Sequence, residues 1–155
     1  MIRVLSVGTA DRNGRVLPLM ATVLIADDSP TIRRMVRASL ESIRGLTFNE
    51  AGTGLEAIET LVVRPADLIV LDLNMPDMHG LDVLKFVRSQ PSFKTLPVVV
   101  LTTRADEVSR RAALAAGATM FLTKPFSPAA LARDVRTLLG VPGAVSTSTP
   151  REERS

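Results

Sequence analysis

The chain contains no cysteine, no tryptophan and no tyrosine, and only one histidine among its 155 residues. Without cysteine it can form neither a disulfide nor a thiolate metal site, which fits a reducing compartment. We accordingly expect a cytoplasmic protein. The single histidine, His79, stands in a loop-like segment before the predicted third helix, and we expect its side chain to be exposed.

Long apolar runs are also missing, since no segment approaches the roughly 20 residues that a membrane-spanning helix needs. The N-terminus lacks the sustained apolar core of a secretory signal. The net charge of +3 could indicate a nucleic-acid partner, but the first 19 residues hold three basic residues and one acidic residue. This leaves 16 basic and 15 acidic residues from Met20 onward. Arg33, Arg34 and Arg37 then indicate a solvated helix face, and we expect neither a membrane nor a nucleic-acid partner.

Polar side chains stand at the carboxyl ends of four apolar, strand-like segments. These side chains are Asp27 and Asp28, Asp72, Thr102, and Lys124. In an open parallel α/β sheet the carboxyl ends of the strands lie on one edge, where ligands bind. We therefore expect three carboxylates, a hydroxyl and an ammonium group to converge on one site.

This group of side chains suits a narrow chemistry. Three neighbouring carboxylates repel one another unless a cation neutralises them. Oxygen ligands without histidine or cysteine favour a hard cation, and Mg²⁺ is the one we expect. A lysine and a hydroxyl beside a metal-bound carboxylate suit a group with negative oxygens, such as phosphoryl. An aspartate can itself be the nucleophile and form an aspartyl phosphate.

The order and spacing of these residues resemble the signature of response-regulator receiver domains, in particular those of the chemotaxis type. The motifs that carry the resemblance are Asp27-Asp28, Asp72-Leu73-Asn74-Met75-Pro76 with Gly80, Thr102, and Lys124-Pro125-Phe126. The resemblance covers about residues 20 to 140. It implies a flavodoxin-like α/β fold, a doubly wound five-stranded parallel sheet in the order 2-1-3-4-5 with helices on both faces.

The resemblance also implies a role for each residue of the metal site and the phosphorylation site. Asp72 would be the phosphoacceptor and a Mg²⁺ ligand. Asp28 would bind Mg²⁺ directly and Asp27 through water, while Asn74 would bind it through the backbone carbonyl. Lys124, before a cis bond to Pro125, would contact the phosphoryl group.

Three further residues have roles in the response to phosphorylation, by the same resemblance. Thr102 would move to bond the phosphoryl group. Phe121 stands where the family has its aromatic switch residue, although a core role is equally compatible, and the absence of tyrosine excludes switching through a phenolic hydrogen bond. Arg104 would modulate the phosphoryl lifetime unless it is a solvated loop arginine.

Local patterns independently predict strands that alternate with helices. Strands are predicted at about 22–27, 46–51, 98–102 and 119–123, and another ends at Asp72. The helix starts are marked by Ser29-Pro30, by the capping box Thr53-Gly54-Leu55-Glu56 and by Ser127-Pro128. In the last helix, Leu131, Val135 and Leu138 are predicted to face inward. Five such repeats predict a parallel sheet with helices on both faces.

The two ends of the chain lack this pattern. Residues 1–19 contain a turn signal at 11–14, and either translation starts at Met20, which we favour, or they form a flexible, disordered extension. Residues 141–155 are rich in serine, threonine, proline and charge, and predict a disordered tail. The domain would then occupy residues 20–140, with no room for an output domain.

Two other functions are compatible with parts of the sequence. Gly52, Gly54 and Ala57 match the dinucleotide fingerprint G-x-G-x-x-A between a strand and a helix, and Asp72 follows at the expected distance. That interpretation leaves Asp27, Asp28, Thr102 and Lys124 unexplained. An aspartate-nucleophile phosphatase of the haloacid dehalogenase type would need an acid where Asn74 stands.

We therefore expect a stand-alone response regulator of a two-component system. It would not be an enzyme in the usual sense, since it would catalyse only its own Mg²⁺-dependent aspartyl phosphorylation and dephosphorylation. Its partners would be a sensor histidine kinase or a histidine phosphotransfer protein, and a downstream target protein. Two roles stay open, an output regulator that binds a target and a phosphorelay shuttle or phosphate sink. It would be a monomer or a weak, phosphorylation-dependent dimer.

Overall fold

A computed structural model describes Asn13, residues 20–104 and residues 106–141 of the chain. The predictions of an N-terminal extension and of a disordered tail concern residues 1–19 and 141–155. Of these two segments the structure describes Asn13 and Val141, so the two predictions otherwise lie outside the described residues.

The described residues form one parallel sheet of five strands. The strands are β1 (Ala21–Ala26), β2 (Leu46–Ala51), β3 (Leu68–Leu71), β4 (Val98–Thr102) and β5 (Met120–Thr123). Their order is β2-β1-β3-β4-β5, and every neighbouring pair is parallel. This confirms the predicted fold and strand order. The chain reverses its direction of winding between β1 and β3, and ligands bind at such a point in open α/β sheets.

Five helices connect and cover the strands. They are α1 (Pro30–Leu40), α2 (Gly54–Val63), α3 (Gly80–Ser89), α4 (Glu107–Ala115) and α5 (Pro128–Leu139), with a 3₁₀ turn at Pro91–Phe93. The predicted caps are confirmed, because the Ser29 and Ser127 hydroxyls accept hydrogen bonds from backbone N–H groups in the first turns of α1 and α5. His79 is exposed as predicted, but it also caps α3 through Nδ1, which the sequence did not indicate. None of the helices in the described part of the chain is long and apolar enough to cross a membrane.

The core has two layers, one on each face of the sheet. In β3, Leu68 and Val70 pack on the layer under α1 and α5, while Ile69 and Leu71 pack on the layer under α2 and α3. This alternation explains why the strand is an unbroken apolar run. In α5 the predicted inward residue Leu138 is only half-buried, and Leu139 is the buried one. Leu138 still packs against the layer under α1 and α5, so the predicted inward face is confirmed, and Leu139 adds a fully buried residue to it.

The arginines of α1 differ from one another. Arg34 is exposed as predicted, and Arg37 pairs with Glu50 at 3.0 Å and lies over the Phe48 ring. The prediction of a solvated face is wrong for Arg33, whose side chain is only 18% exposed. Its guanidinium donates to Glu50 Oε1 at 2.9 Å and to the backbone carbonyl of Asp27 at 2.6 Å.

Candidate functional site

Three carboxylates meet at the carboxyl ends of β1 and β3. Ala26 and Leu71 are paired across these strands, and the Asp72 N–H donates to the Ala26 carbonyl at 2.9 Å. The next residues along each strand are therefore brought side by side. Asp27, Asp28 and Asp72 each offer an oxygen, and the three oxygens lie within 4.8 Å of one another. The structure thus assembles the acidic group that the sequence predicted.

The three carboxylates differ in their exposure to solvent. Asp27 and Asp72 are 3% and 4% exposed, whereas Asp28 is exposed at the mouth of the site. Burial raises the pKa of the Asp72 carboxyl, and the negative charges of Asp27 and Asp28 raise it further. The N–H of Asn74 and the charge of Lys124 oppose this effect. The site therefore carries more negative charge than its own groups neutralise.

Lys124 brings one positive charge to these three negative ones. Its Nζ lies 2.7 Å from Asp27 Oδ2 and 3.6 Å from Asp72 Oδ2, and its side chain is 12% exposed. The Lys124–Pro125 bond is cis, as expected from the resemblance. The remaining negative charge and the all-oxygen ligand set fit a hard divalent cation such as Mg²⁺.

Asp27 is held on both sides by groups that the sequence analysis did not identify. Its Oδ1 accepts the Ser29 N–H at 2.9 Å, and its backbone carbonyl accepts the Arg33 guanidinium. Arg33 is in turn fixed by Glu50 of β2. This arrangement could not be found from local patterns because Glu50 lies 17 residues away from Arg33.

Thr102 ends β4 and is completely buried. Its hydroxyl oxygen accepts the Arg104 N–H at 3.2 Å and lies 3.4 Å from the Asn74 amide nitrogen. The hydroxyl therefore connects the loop after β4 with the loop after β3. The structure thus brings Thr102 and Asn74 to the edge where the carboxylates meet.

Arg104 and Phe121 are the two residues for which the sequence is compatible with either a functional or a purely structural role. The Arg104 guanidinium is 59% exposed and lies 3.6 Å from the exposed carboxylate of Asp106, so its side chain has the surroundings of a solvated loop arginine. Phe121 is half-buried and packs on the core layer under α2 and α3. These surroundings are those expected of a loop arginine and of a core phenylalanine. The modulatory role of Arg104 and the switch role of Phe121 stay predictions.

The segment after β3 is closely packed against the strand. A Cβ on Gly80 would lie 2.5 Å from the Asp72 carbonyl oxygen and 2.6 Å from Leu73 Cα, both backbone atoms, so a larger residue does not fit. The Gly80 N–H donates to the Leu73 carbonyl at 2.8 Å. Asn74 and His79 form an antiparallel bridge across the loop. The glycine therefore holds the loop that carries Asn74 close to Asp72.

The glycine-rich turn before α2 does not offer a dinucleotide site. Phosphate binding at a helix start needs free backbone N–H groups. Here the Gly54 and Leu55 N–H groups donate to Asp77, and the Glu56 N–H donates to Thr53 Oγ1 at 3.0 Å. Glu56 Oε1 accepts the Gly52 N–H at 2.6 Å. Helix capping therefore accounts for the G-x-G-x-x-A sequence pattern.

Known proteins resemble this chain in sequence and in structure. A family model described as the response regulator receiver domain matches residues 23–136. Chemotaxis protein CheY1 of Helicobacter pylori is 36% identical over 119 residues, which are 76% of this chain and 96% of CheY1. The transcriptional regulatory protein KdpE of Mycobacterium tuberculosis is 42% identical over 107 residues, 69% of this chain but only 46% of KdpE. The structure of the chemotaxis response regulator CheY4 of Vibrio cholerae matches with a TM-score of 0.71 and 37% identity, over 77% of this chain and 98% of CheY4.

Proposed function

The chain belongs to the response regulator receiver family of two-component signalling, and we propose that Asp72 accepts a phosphoryl group from a phosphohistidine donor. One observation carries this proposal. Asp72 is a buried carboxylate at the switch point of the sheet, between two other carboxylates and an ammonium group. That surrounding suits phosphoryl transfer, which needs positioning and charge neutralisation.

The reaction requires few groups from the protein. An oxygen of the ionised Asp72 carboxylate attacks phosphorus while the bond between phosphorus and the donor imidazole nitrogen breaks, and the electron pair leaves with that nitrogen. Lys124 stabilises the negative oxygens from the β5 side of the site. Asp28, Asp72 and the Asn74 carbonyl would hold Mg²⁺, with Asp27 acting through water. When bound, the cation supplies the remaining neutralisation of charge.

The phosphoryl group would then change the surface of the protein. In this proposal Thr102 moves toward the phosphoryl group, and Phe121 and the face formed by α4, β5 and α5 respond. Val108 on α4 is 78% exposed, so α4 presents an apolar side chain to solvent. Arg104, on the loop after β4, would modulate the phosphoryl lifetime. The kinase or phosphotransfer protein supplies the group, and a target protein reads the changed face.

We further propose that the chain works as a stand-alone regulator formed by residues 20–140. The chain spans 96% of CheY1 but only 46% of KdpE, and the proposal follows the first of these relatives. A phosphorelay shuttle or phosphate sink is the alternative, and the protein would be a monomer or a weak, phosphorylation-dependent dimer. Return of the phosphoryl group to a histidine would favour the shuttle, and tight target binding would favour the regulator.

Mass spectrometry after incubation with acetyl phosphate and Mg²⁺ tests the proposal. The wild type should gain one phosphoryl group in a bond that base and hydroxylamine cleave. Asp72→Asn should gain none, because the nucleophilic carboxylate is removed. Asp82→Asn, which removes an exposed carboxylate on α3, is the matched control and should react like the wild type. If Asp72→Asn acquires the same base-labile adduct at the wild-type rate, the phosphoacceptor lies elsewhere.

A further inference from the structure

The loop of residues 73–79 is connected to a helix that takes no part in the site described above. The Asp77 carboxylate accepts two hydrogen bonds from the first turn of α2. The Gly54 N–H donates to Oδ1 at 2.8 Å, and the Leu55 N–H donates to Oδ2 at 2.9 Å. These donors lower the pKa of the Asp77 carboxyl, and a negative charge at a helix N-terminus is favourable in addition.

Close packing supports the same connection independently. Gly54 is buried, and a Cβ at this position would lie 2.7 Å from Met78 Cβ and 3.1 Å from Val83 Cγ2. The start of α2 therefore touches the residue that follows Asp77. A larger side chain at Gly54 would push the loop away from the helix.

Asn74 lies on the same loop as Asp77 and Met78. Its side chain is exposed, its N–H donates to Asp72 Oδ1 at 3.2 Å, its backbone forms a bridge with His79, and its amide nitrogen lies 3.4 Å from Thr102 Oγ1. The loop is fixed at its start by β3 and at its end by Gly80. Asp77 supplies a fixed point between these ends, three residues after Asn74.

We propose that Asp77 is a positioning residue for the metal site, because its two bonds to α2 hold the loop so that the Asn74 carbonyl is available to Mg²⁺. The inference rests on the proposed function, which makes that carbonyl a ligand. The α2 helix has a capping box of its own in Thr53 and Glu56, so the Asp77 carboxylate is not its only cap. Because coupling is reciprocal, bound Mg²⁺ should also stabilise the bonds between Asp77 and α2.

Mg²⁺ titration of the full chain by calorimetry tests the inference. Asp77→Ala should raise the Kd for Mg²⁺ by at least about 10-fold, the lower end of the loss found for residues that orient metal ligands. Asp77→Asn, which keeps one acceptor oxygen, should give a smaller increase. Asp82→Ala is the control, since it removes an exposed carboxylate from the neighbouring helix and should leave the Kd unchanged.

A second measurement covers the case in which Asp77→Ala fails to fold. Amide hydrogen exchange of the wild type should slow at Gly54 and Leu55 when Mg²⁺ is added, and the same addition should have no effect in Asp28→Asn. An unchanged Kd in Asp77→Asn and Asp77→Ala, or unchanged exchange at both amides in Mg²⁺-saturated wild type, would mean that Asp77 is only a helix cap. A wild type that shows no saturable Mg²⁺ binding would overturn the proposed function together with this inference.

Discussion

The half formed by β3 and α3 and the half formed by β5, α4 and the loop after β4 differ in how much of their surface is buried. All four residues of β3 are buried, and α3 buries Gly80, Val83, Leu84 and Val87. In contrast, none of the four residues of β5 is fully buried, and Ala113 is the only buried residue of α4 as the structure describes it. The carboxylates and Asn74 belong to the first half or to β1, whereas Lys124 and the Arg104 loop belong to the second.

The proposed phosphorylation switch has two separate requirements, and this difference matches both. Transfer of the phosphoryl group needs reacting groups at fixed positions, which a closely packed strand and helix provide. A response needs a segment whose rearrangement costs little free energy, and segments with few buried apolar contacts meet that condition. In the proposed switch, the buried hydroxyl of Thr102 and the ammonium of Lys124, which reaches Asp72 from the second half, would link the two halves.

The loosely packed half is nevertheless fixed at one end. Arg88 of α3 donates to the Gly117 carbonyl through Nε at 2.9 Å and Nη2 at 2.7 Å, just after the end of α4. Its third bond, at 3.0 Å, reaches the Phe93 carbonyl. The C-terminal end of α4 is thus held to the firm half. We therefore expect the N-terminal end of α4 and the loop before it to move most.

The largest effect should come from removing the connection between the halves. Lys124→Ala leaves Asp27 and Asp72 without their positive partner, and removal of one member of a buried pair costs roughly 3–5 kcal/mol of unfolding free energy. Mg²⁺ should restore more stability to this variant than to the wild type, because it replaces the lost positive charge. Urea unfolding with and without Mg²⁺ checks both effects. A loss no greater than that of Lys85→Ala, an exposed lysine on α3, would contradict the role of this ion pair.

A matched pair of leucine truncations compares the packing of the two halves directly. Leu84→Ala on α3 removes a fully buried side chain and should cost roughly 2–5 kcal/mol. Leu114 on α4 is 37% exposed, and Leu114→Ala should cost less than about 1 kcal/mol, since it buries little apolar area. Chemical denaturation measures the two losses. Equal losses would mean that α4 is as firmly packed as α3.

The sequence predicted the fold and the meeting of the three carboxylates because both depend on local signals that agree with one another. Apolar runs ending in acidic residues placed Asp27, Asp28 and Asp72 correctly at one edge. Local signals could not identify Arg33 or Asp77, whose partners are distant in the chain.

The smallest effect concerns the charge on Asp72. Its folded-state pKa is raised, so the folded protein holds this proton more tightly than the unfolded chain does, and stability falls as the pH rises through that pKa. Asp72→Asn cannot ionise, and without Mg²⁺ it should be more stable than the wild type at neutral pH by a few degrees in Tm. The gap should close as the pH is lowered toward the ordinary aspartate value of about 3.9. Thermal unfolding across this range checks the sign, and a less stable Asp72→Asn at neutral pH would refute it.

Hydrogen exchange with and without a phosphoryl group on Asp72 tests whether one half stays fixed while the other half responds. Acetyl phosphate with Mg²⁺ supplies the modified state, and Asp72→Asn under the same conditions controls for the reagent. We expect altered exchange at the start of α4 and in the loop after β4, with little change in β1, β3 and the buried face of α3. Equal changes in α3 and α4, or a change confined to α3, would contradict this expectation.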